Sequence, residues 1–197
     1  GVLGSGSATV TVYGRVQGGQ TTLPAGAYSQ SFSGTSATVY ALPNPGTNTC
    51  TTITSHPSTF SVSASANLIS DCLISATNMN FGTAGLLNSA LTATSAITVN
   101  CTNQSPWTLA LSAGTGSGAT MSNRLLTRSG GSQTVGYNLF TSSSYTNIWG
   151  DGTTGTAAVT GTGSGVSQVS TVYGRVPAQS TPPAGTYNDT IIVTVTY

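Results

Sequence analysis

The sequence predicts an all-β protein, and three observations carry that expectation. Gly (25), Ser (28) and Thr (36) make up 89 of the 197 residues, and the remaining apolar residues lean toward Val, Ala, Leu and Ile. Thr and Val suit a pleated, half-buried surface, and Gly punctuates it with turns. The chain has no Lys and no Glu, so it lacks the residues from which helices are usually built. Phe60, Val62, Ala64, Ala66 and Leu68 alternate with Ser61, Ser63 and Ser65, which is the period of a strand. Disorder is excluded, because disordered chains lack apolar residues and usually carry high net charge.

After that first strand, the expected strands are Cys72 to Ala76, Ala96 to Cys101, Trp107 to Ser112, Val135 to Thr141, Val169 to Val176 and Thr190 to Tyr197. Turn signals separate them at intervals suited to a β-sandwich. The last, Ile191-Ile192-Val193-Thr194-Val195-Thr196-Tyr197, is a strong β segment, and an unpaired edge there would invite aggregation.

Charge excludes several partners. Four Arg oppose three Asp, the formal net charge is +1, and no basic run occurs. Binding to a phosphate backbone would have almost no electrostatic term to draw on. No stretch approaches the ~18 consecutive apolar residues of a membrane-spanning helix. Gly1 to Ser7 lack the basic and apolar regions of a signal peptide, so the expectation is a soluble chain, already processed if exported.

The catalytic inventory is thin. General acid–base chemistry would have to come from His56, Asp71, Asp151 and Asp189, which are scattered, and metal sites need clustered ligands. His56 sits in a polar Ser55-His56-Pro57 loop context. Asp151, flanked by Gly150 and Gly152, reads as a turn former whose carboxylate bonds its own backbone. The glycine runs at 114–118 and 161–165 have no following Lys and no helix pattern, so they read as hairpin or crossover loops, not phosphate cradles. The expectation is therefore no enzyme, no cofactor and no metal.

The chain repeats itself. Val12-Tyr13-Gly14-Arg15-Val16 recurs as Val172-Tyr173-Gly174-Arg175-Val176, and Pro24-Ala25-Gly26-Ala27-Tyr28 recurs as Pro183-Ala184-Gly185-Thr186-Tyr187. The offsets are 160 and 159, and Gly4-Ser5-Gly6 matches Gly163-Ser164-Gly165 in step. Residues 1–42 thus read as the last part of a truncated first domain, residues 43–58 as a Pro/Gly-punctuated linker, and 59–197 as a second domain. This predicts that about 100 residues of an upstream domain lie outside the chain. The alternative is a lone hairpin appended to one domain, but an isolated hairpin is only marginally stable.

Three cysteines in an exported chain imply one disulfide and one left over. Cys72 and Cys101, 29 residues apart, each border a predicted strand, and a bridge between them should contribute about 3 to 4 kcal/mol in the loop-entropy model. Cys50, in the linker, either pairs with an upstream cysteine or is a free thiol with no basic neighbour to lower its pKa.

The order of motifs Phe60-Ser61-Val62, Cys72-Leu73-Ile74-Ser75-Ala76, Asn80-Phe81-Gly82, Val99-Asn100-Cys101-Thr102, Trp107-Thr108-Leu109, Tyr137-Asn138-Leu139-Phe140, Trp149-Gly150-Asp151-Gly152, Val172-Tyr173-Gly174-Arg175 and Gly185-Thr186-Tyr187-Asn188-Asp189-Thr190 resembles the spore coat protein U domain. That family includes the subunits of archaic chaperone–usher pili such as the Csu pilus. The resemblance implies an incomplete immunoglobulin-like β-sandwich completed by a donor strand, from a periplasmic chaperone first and a neighbouring subunit later. It further implies an outer-membrane usher, export through the periplasm to an extracellular, cell-surface pilus, and attachment to an abiotic or host surface with biofilm formation. Two-domain members look like tip adhesins. A coat protein and a glycan-binding module are the alternatives.

On this reading the donor-strand groove would be lined by Phe60, Val62, Ala64, Ile192, Val193 and Val195, and residues 47–55 could complete the truncated first domain. Gly14, Gly26, Gly174 and Gly185 are expected at turns or bulges where a side chain would clash, Arg15 and Arg175 as structural residues hydrogen-bonding loop carbonyls, and Trp107 and Trp149 as core or loop anchors.

Overall fold

A computed structural model describes residues 11–33, 38–40, 57–153 and 155–197. Cys50, His56 and the proposed completing strand 47–55 lie outside the described residues. Every regular element among the described residues is a strand: β1 (Gly26–Phe32), β2 (Thr38–Tyr40), β3 (Pro57–Thr59), β4 (Val62–Leu68), β5 (Cys72–Ala76), β6 (Leu91–Cys101), β7 (Pro106–Leu111), β8 (Arg124–Arg128), β9 (Thr134–Phe140), β10 (Val159–Thr162), β11 (Gln168–Val176), β12 (Tyr187–Asn188) and β13 (Val193–Thr196).

The strands belong to two units. One contains β1 to β4; the other consists of Thr21–Ala25 and Ile69–Tyr197. In the first, β1 and β4 pair antiparallel over seven residues, from Gly26 opposite Leu68 to Phe32 opposite Val62. The alternation read in the sequence is visible here: Val62 and Ala66 stand on the same face as Phe32 and Tyr28, while Ser31 and Ser63 share a 2.9 Å hydroxyl hydrogen bond on the other. Alternation alone puts β4 at the head of the second domain. In the structure its partner is β1, the strand that follows the repeated Pro-Ala-Gly motif.

The larger unit is a two-layer β-sandwich. One layer has six strands in the order β12-β8-β9-β11-β6-β5, the other three in the order β10-β7-β13. All the pairings are antiparallel. Inward positions at period two supply the core: Ile97, Val99 and Cys101 from β6, Val135, Tyr137 and Leu139 from β9, and Val172 and Val176 from β11. They pack with Trp107, Leu109 and Leu111 of β7 and with Trp149. Each fully buried side chain of this size contributes about 1.5–3 kcal/mol. This is the immunoglobulin-like arrangement the sequence predicts, and both tryptophans are core residues.

Cys72 and Cys101 are directly opposite in the β5–β6 register and are joined by a disulfide. It fastens the edge strand β5 to the sheet. The 161–165 glycine run is only in part a loop. Gly161 lies in β10 opposite Trp107, where an added Cβ would overlap the indole ring. Gly174 likewise lies inside β11, with Met79 and Phe81 in the space a side chain would need, so its requirement is steric within a strand and not that of a turn.

Arg124, on β8, is fully buried. Its guanidinium donates to the carbonyls of Ser112 (2.9 Å), Met121 (3.0 Å) and Trp149 (2.7 Å) and to Oδ1 of Asn138 (2.7 Å). Burial lowers its pKa, with the nearby Tyr137 and Asp189 opposing that shift. The carbonyls replace the lost water, so one cation ties β7, β8, β9 and the Trp149 loop together.

Candidate strand-acceptor groove

The two layers of the sandwich are not in contact everywhere. An open groove of about 1050 Å³ runs between them. Its floor is built from inward-facing residues of three strands of the large sheet, namely Leu91 and Ile97 of β6, Val135, Tyr137 and Leu139 of β9, and Val172 and Val176 of β11. Leu111, Ile191 and Val193 line it from the β7–β13 side, and the segments Ala76–Gly85 and Thr181–Asp189 close around it.

β13 forms one wall. It pairs with β7 on one side, Val193 opposite Leu111 and Val195 opposite Leu109, and ends the three-stranded sheet on the other. Among the described residues no strand pairs with that outer edge, so alternate N–H and C=O groups of β13 face outward unbonded. An apolar groove beside an unpaired strand edge has the chemistry to accept one more strand. Main-chain hydrogen bonds would hold it, and alternate side chains would fill the groove.

The predicted groove residues divide. Val193 lines the groove. Val195 packs on the core beside it, and Ile192, 63% exposed, points away. Phe60, Val62 and Ala64 are in the smaller unit, where Val62 faces Phe32 and Ala64 faces Gln30 across β1. These lining residues do not follow from alternation alone, because it shows a strand's inward face and not which part of that face borders a groove. The signal that could have found them is the strict alternation of Ile97-Val99-Cys101 and Val135-Tyr137-Leu139.

A polar cluster stands at the groove. Asp189 accepts from the Tyr137 hydroxyl (2.8 Å), from the Thr115 amide (2.7 Å) and hydroxyl (2.9 Å), and from the Thr190 amide (2.7 Å). Burial first, then the hydrogen bond to Asp189, raises the pKa of Tyr137 far above that of a free tyrosine. The phenol is thus fixed as a neutral donor. Ser112 continues the anchorage: its amide donates to the Ile192 carbonyl (3.0 Å) and its hydroxyl accepts from the Ile192 amide (2.9 Å). These contacts fix where β13 begins.

Asp151 is a turn former, as expected. It accepts from the Thr153 hydroxyl (2.6 Å) and amide (2.9 Å), which lowers its pKa. No group of three His, Cys, Asp or Glu able to hold a metal occurs among the described residues.

A family model, the Spore Coat Protein U domain, matches residues 58–194. The chain belongs to the Spore Coat Protein U domain family. The match covers β4 and the whole sandwich up to Thr194. Among solved structures, a chain of the CsuC–CsuE chaperone–tip adhesion subunit pre-assembly complex, from the archaic chaperone–usher Csu pili of Acinetobacter baumannii, is similar. The TM-score is 0.53 and the identity 22%, over 72% of this chain and 45% of that one. A chaperone–tip adhesin complex of CFA/I fimbriae biogenesis is more distant, at a TM-score of 0.42 and 15% identity, over 70% of this chain and 45% of that one. This Spore Coat Protein U domain protein thus shares its fold with the chain matched in the first complex, and it spans less than half the length of either matched chain. No curated protein sequence matches it.

Proposed function

We propose that this Spore Coat Protein U domain protein is a non-enzymatic subunit of a chaperone–usher surface pilus, assembled by strand addition. The observation that carries this reading is the outer edge of β13, unpaired among the described residues, beside the open groove of about 1050 Å³. A strand edge left unpaired beside an open groove invites pairing with other chains, so a periplasmic chaperone strand is its first occupant. A strand from a neighbouring subunit replaces it at the outer-membrane usher, and the product is extracellular.

The tip is the position best supported. In a fibre of exchanged strands each shaft subunit accepts one strand and donates one. Here β4, the alternating segment that opens the family match, has its backbone taken by β1 of the same chain over seven residues. With that pairing made, β4 is not a free extended segment for a neighbouring subunit to take up, which favours an end position for it. The repeated motifs in residues 1–42 agree with a two-domain adhesin mediating attachment and biofilm formation.

The test is electrophoresis of surface material extracted from the native cells and probed with antibody to residues 59–197. A strand-exchanged polymer survives SDS unheated and collapses to monomer on boiling. Immunogold label confined to fibre ends supports the tip position, and label along the fibre makes the chain a shaft subunit. A continuous labelled layer without fibres overturns the pilus reading in favour of a coat.

A further inference from the structure

The outer face of the six-stranded sheet carries a second feature that strand addition does not use. β9 ends at Phe140, and the loop Thr141–Asn147 that follows is closed by hydrogen bonds from the Thr141 amide to the Asn147 carbonyl (3.1 Å) and from the Tyr145 amide to the Ser142 carbonyl (3.2 Å). Tyr145 has φ of 53°, a left-handed conformation that an aromatic residue adopts only when its surroundings over-determine it. That conformation sets the Tyr145 ring against Phe140 in an edge-to-face contact at 5.5 Å, with the Arg175 guanidinium 5.5 Å from its centroid.

Arg175 differs from its counterparts in the sandwich. Arg124 is buried with its donors spent on carbonyls, and Arg128 donates to the Ala184 carbonyl at 2.9 Å. Arg175 is exposed and makes no hydrogen bond to the described residues, so it does not tie down a loop carbonyl as the sequence led us to expect. No carboxylate is close to balance it. Asp71 bonds the Cys72 amide and the Tyr197 hydroxyl, Asp151 bonds Thr153, and Asp189 bonds Tyr137 and Thr115. The loop that carries Tyr145 and the strand beside Arg175 both offer hydroxyls. Ser142, Ser144 and Thr146 form a chain with 2.7 and 3.0 Å spacings on the same loop, and exposed Thr92 is the cross-strand neighbour of Arg175.

We propose that Arg175 and the Thr141–Asn147 loop form a binding site for a carboxylate-bearing carbohydrate, such as a uronic acid unit of an acidic polysaccharide. A guanidinium propped on a tyrosine ring presents a planar fork that matches a carboxylate bidentately. Hydroxyl groups both donate and accept, as sugar hydroxyls do. A single exposed guanidinium suits a monoanion better than a phosphate dianion. The site is on the opposite face of the sheet from the groove floor, because Arg175 and Gly174 alternate along β11 and Gly174 faces Met79 and Phe81. It therefore stands independently of strand addition.

The test is equilibrium binding of the full chain to immobilised polygalacturonate, with uncharged dextran and dextran sulfate as comparisons. Expected is selective retention on polygalacturonate that weakens with added salt. Arg175→Gln should weaken it by about tenfold or more and Arg175→Lys by less, since lysine keeps the charge without the fork. Tyr145→Gly, which accepts the positive φ but removes the ring, should also weaken it. Arg128→Gln should bind as the parent does. Unchanged near-ultraviolet circular dichroism from the buried Trp107 and Trp149 verifies that each variant is folded. No retention of the parent chain, equal retention on dextran or dextran sulfate, or an Arg175→Gln variant that binds undiminished would each overturn the proposal.

Discussion

Tyr137 reaches from the core of the six-stranded sheet to Asp189, 52 residues later in the chain, and donates its hydroxyl to that carboxylate at 2.8 Å. The contact joins the groove floor to the segment that leads into β13. Tyr137→Phe should cost about 1–2 kcal/mol in denaturant unfolding, the usual loss when a partly buried acceptor forfeits one donor.

The same contact sets a pH dependence. The folded-state pKa of Tyr137 is raised well above its unfolded value near 10, so its contribution is fully present below about pH 10 and is lost as pH rises beyond that. Unfolding midpoints measured between pH 8 and 11 should fall at the alkaline end, and Tyr137→Phe should flatten that part of the curve.

Arg124→Met should destabilise by about 3 kcal/mol or more. It leaves the carbonyls of Trp149 and Ser112 and the Asn138 amide oxygen without their charged donor in a closed interior. Loss of the near-ultraviolet signal of Trp149 at lower denaturant checks it.

Reduction of the Cys72–Cys101 bond, or Cys72→Ser with Cys101→Ser, should lower stability by about 3 to 4 kcal/mol. The readout is guanidinium unfolding with and without a thiol reductant. The paired variants should be insensitive to it.

Val193→Asp should block strand addition while sparing the rest of the core, since Val193 is partly exposed and lines the groove. A carboxylate there would be buried unpaired by any incoming apolar strand. SDS-resistant polymer should disappear, while the disulfide and the buried-tryptophan signal persist.

Alternation made much of the sandwich legible. Cys72–Ala76 has the same ends in sequence and structure, and β6, β7, β9 and β11 were found to within a few residues, because inward Val, Leu, Ile and Trp recur at period two. Three strands of the sandwich do not show in the sequence. β8 contains a buried arginine at an inward position, β10 is a Thr/Gly segment whose Gly161 makes room for Trp107, and β12 is two residues long. The expected last strand begins at Thr190 and β13 at Val193, because side-chain contacts of Asp189 and Ser112 hold the backbone between them.

The sequence by itself determined the all-β class, the repeat, the near-absence of catalytic groups and the inward faces of most strands, since these follow from composition and from patterns a few residues long. Only the tertiary structure decided that β4 pairs with β1, that among the described residues no strand pairs with the outer edge of β13, and that Ile97, Val135 and Val172 line a groove between the layers. Strand pairing is a contact between distant segments, and an apolar face that borders a groove has the same local pattern as one that does not. What distinguishes them is the strand that is or is not beside them, and no short window of residues records that.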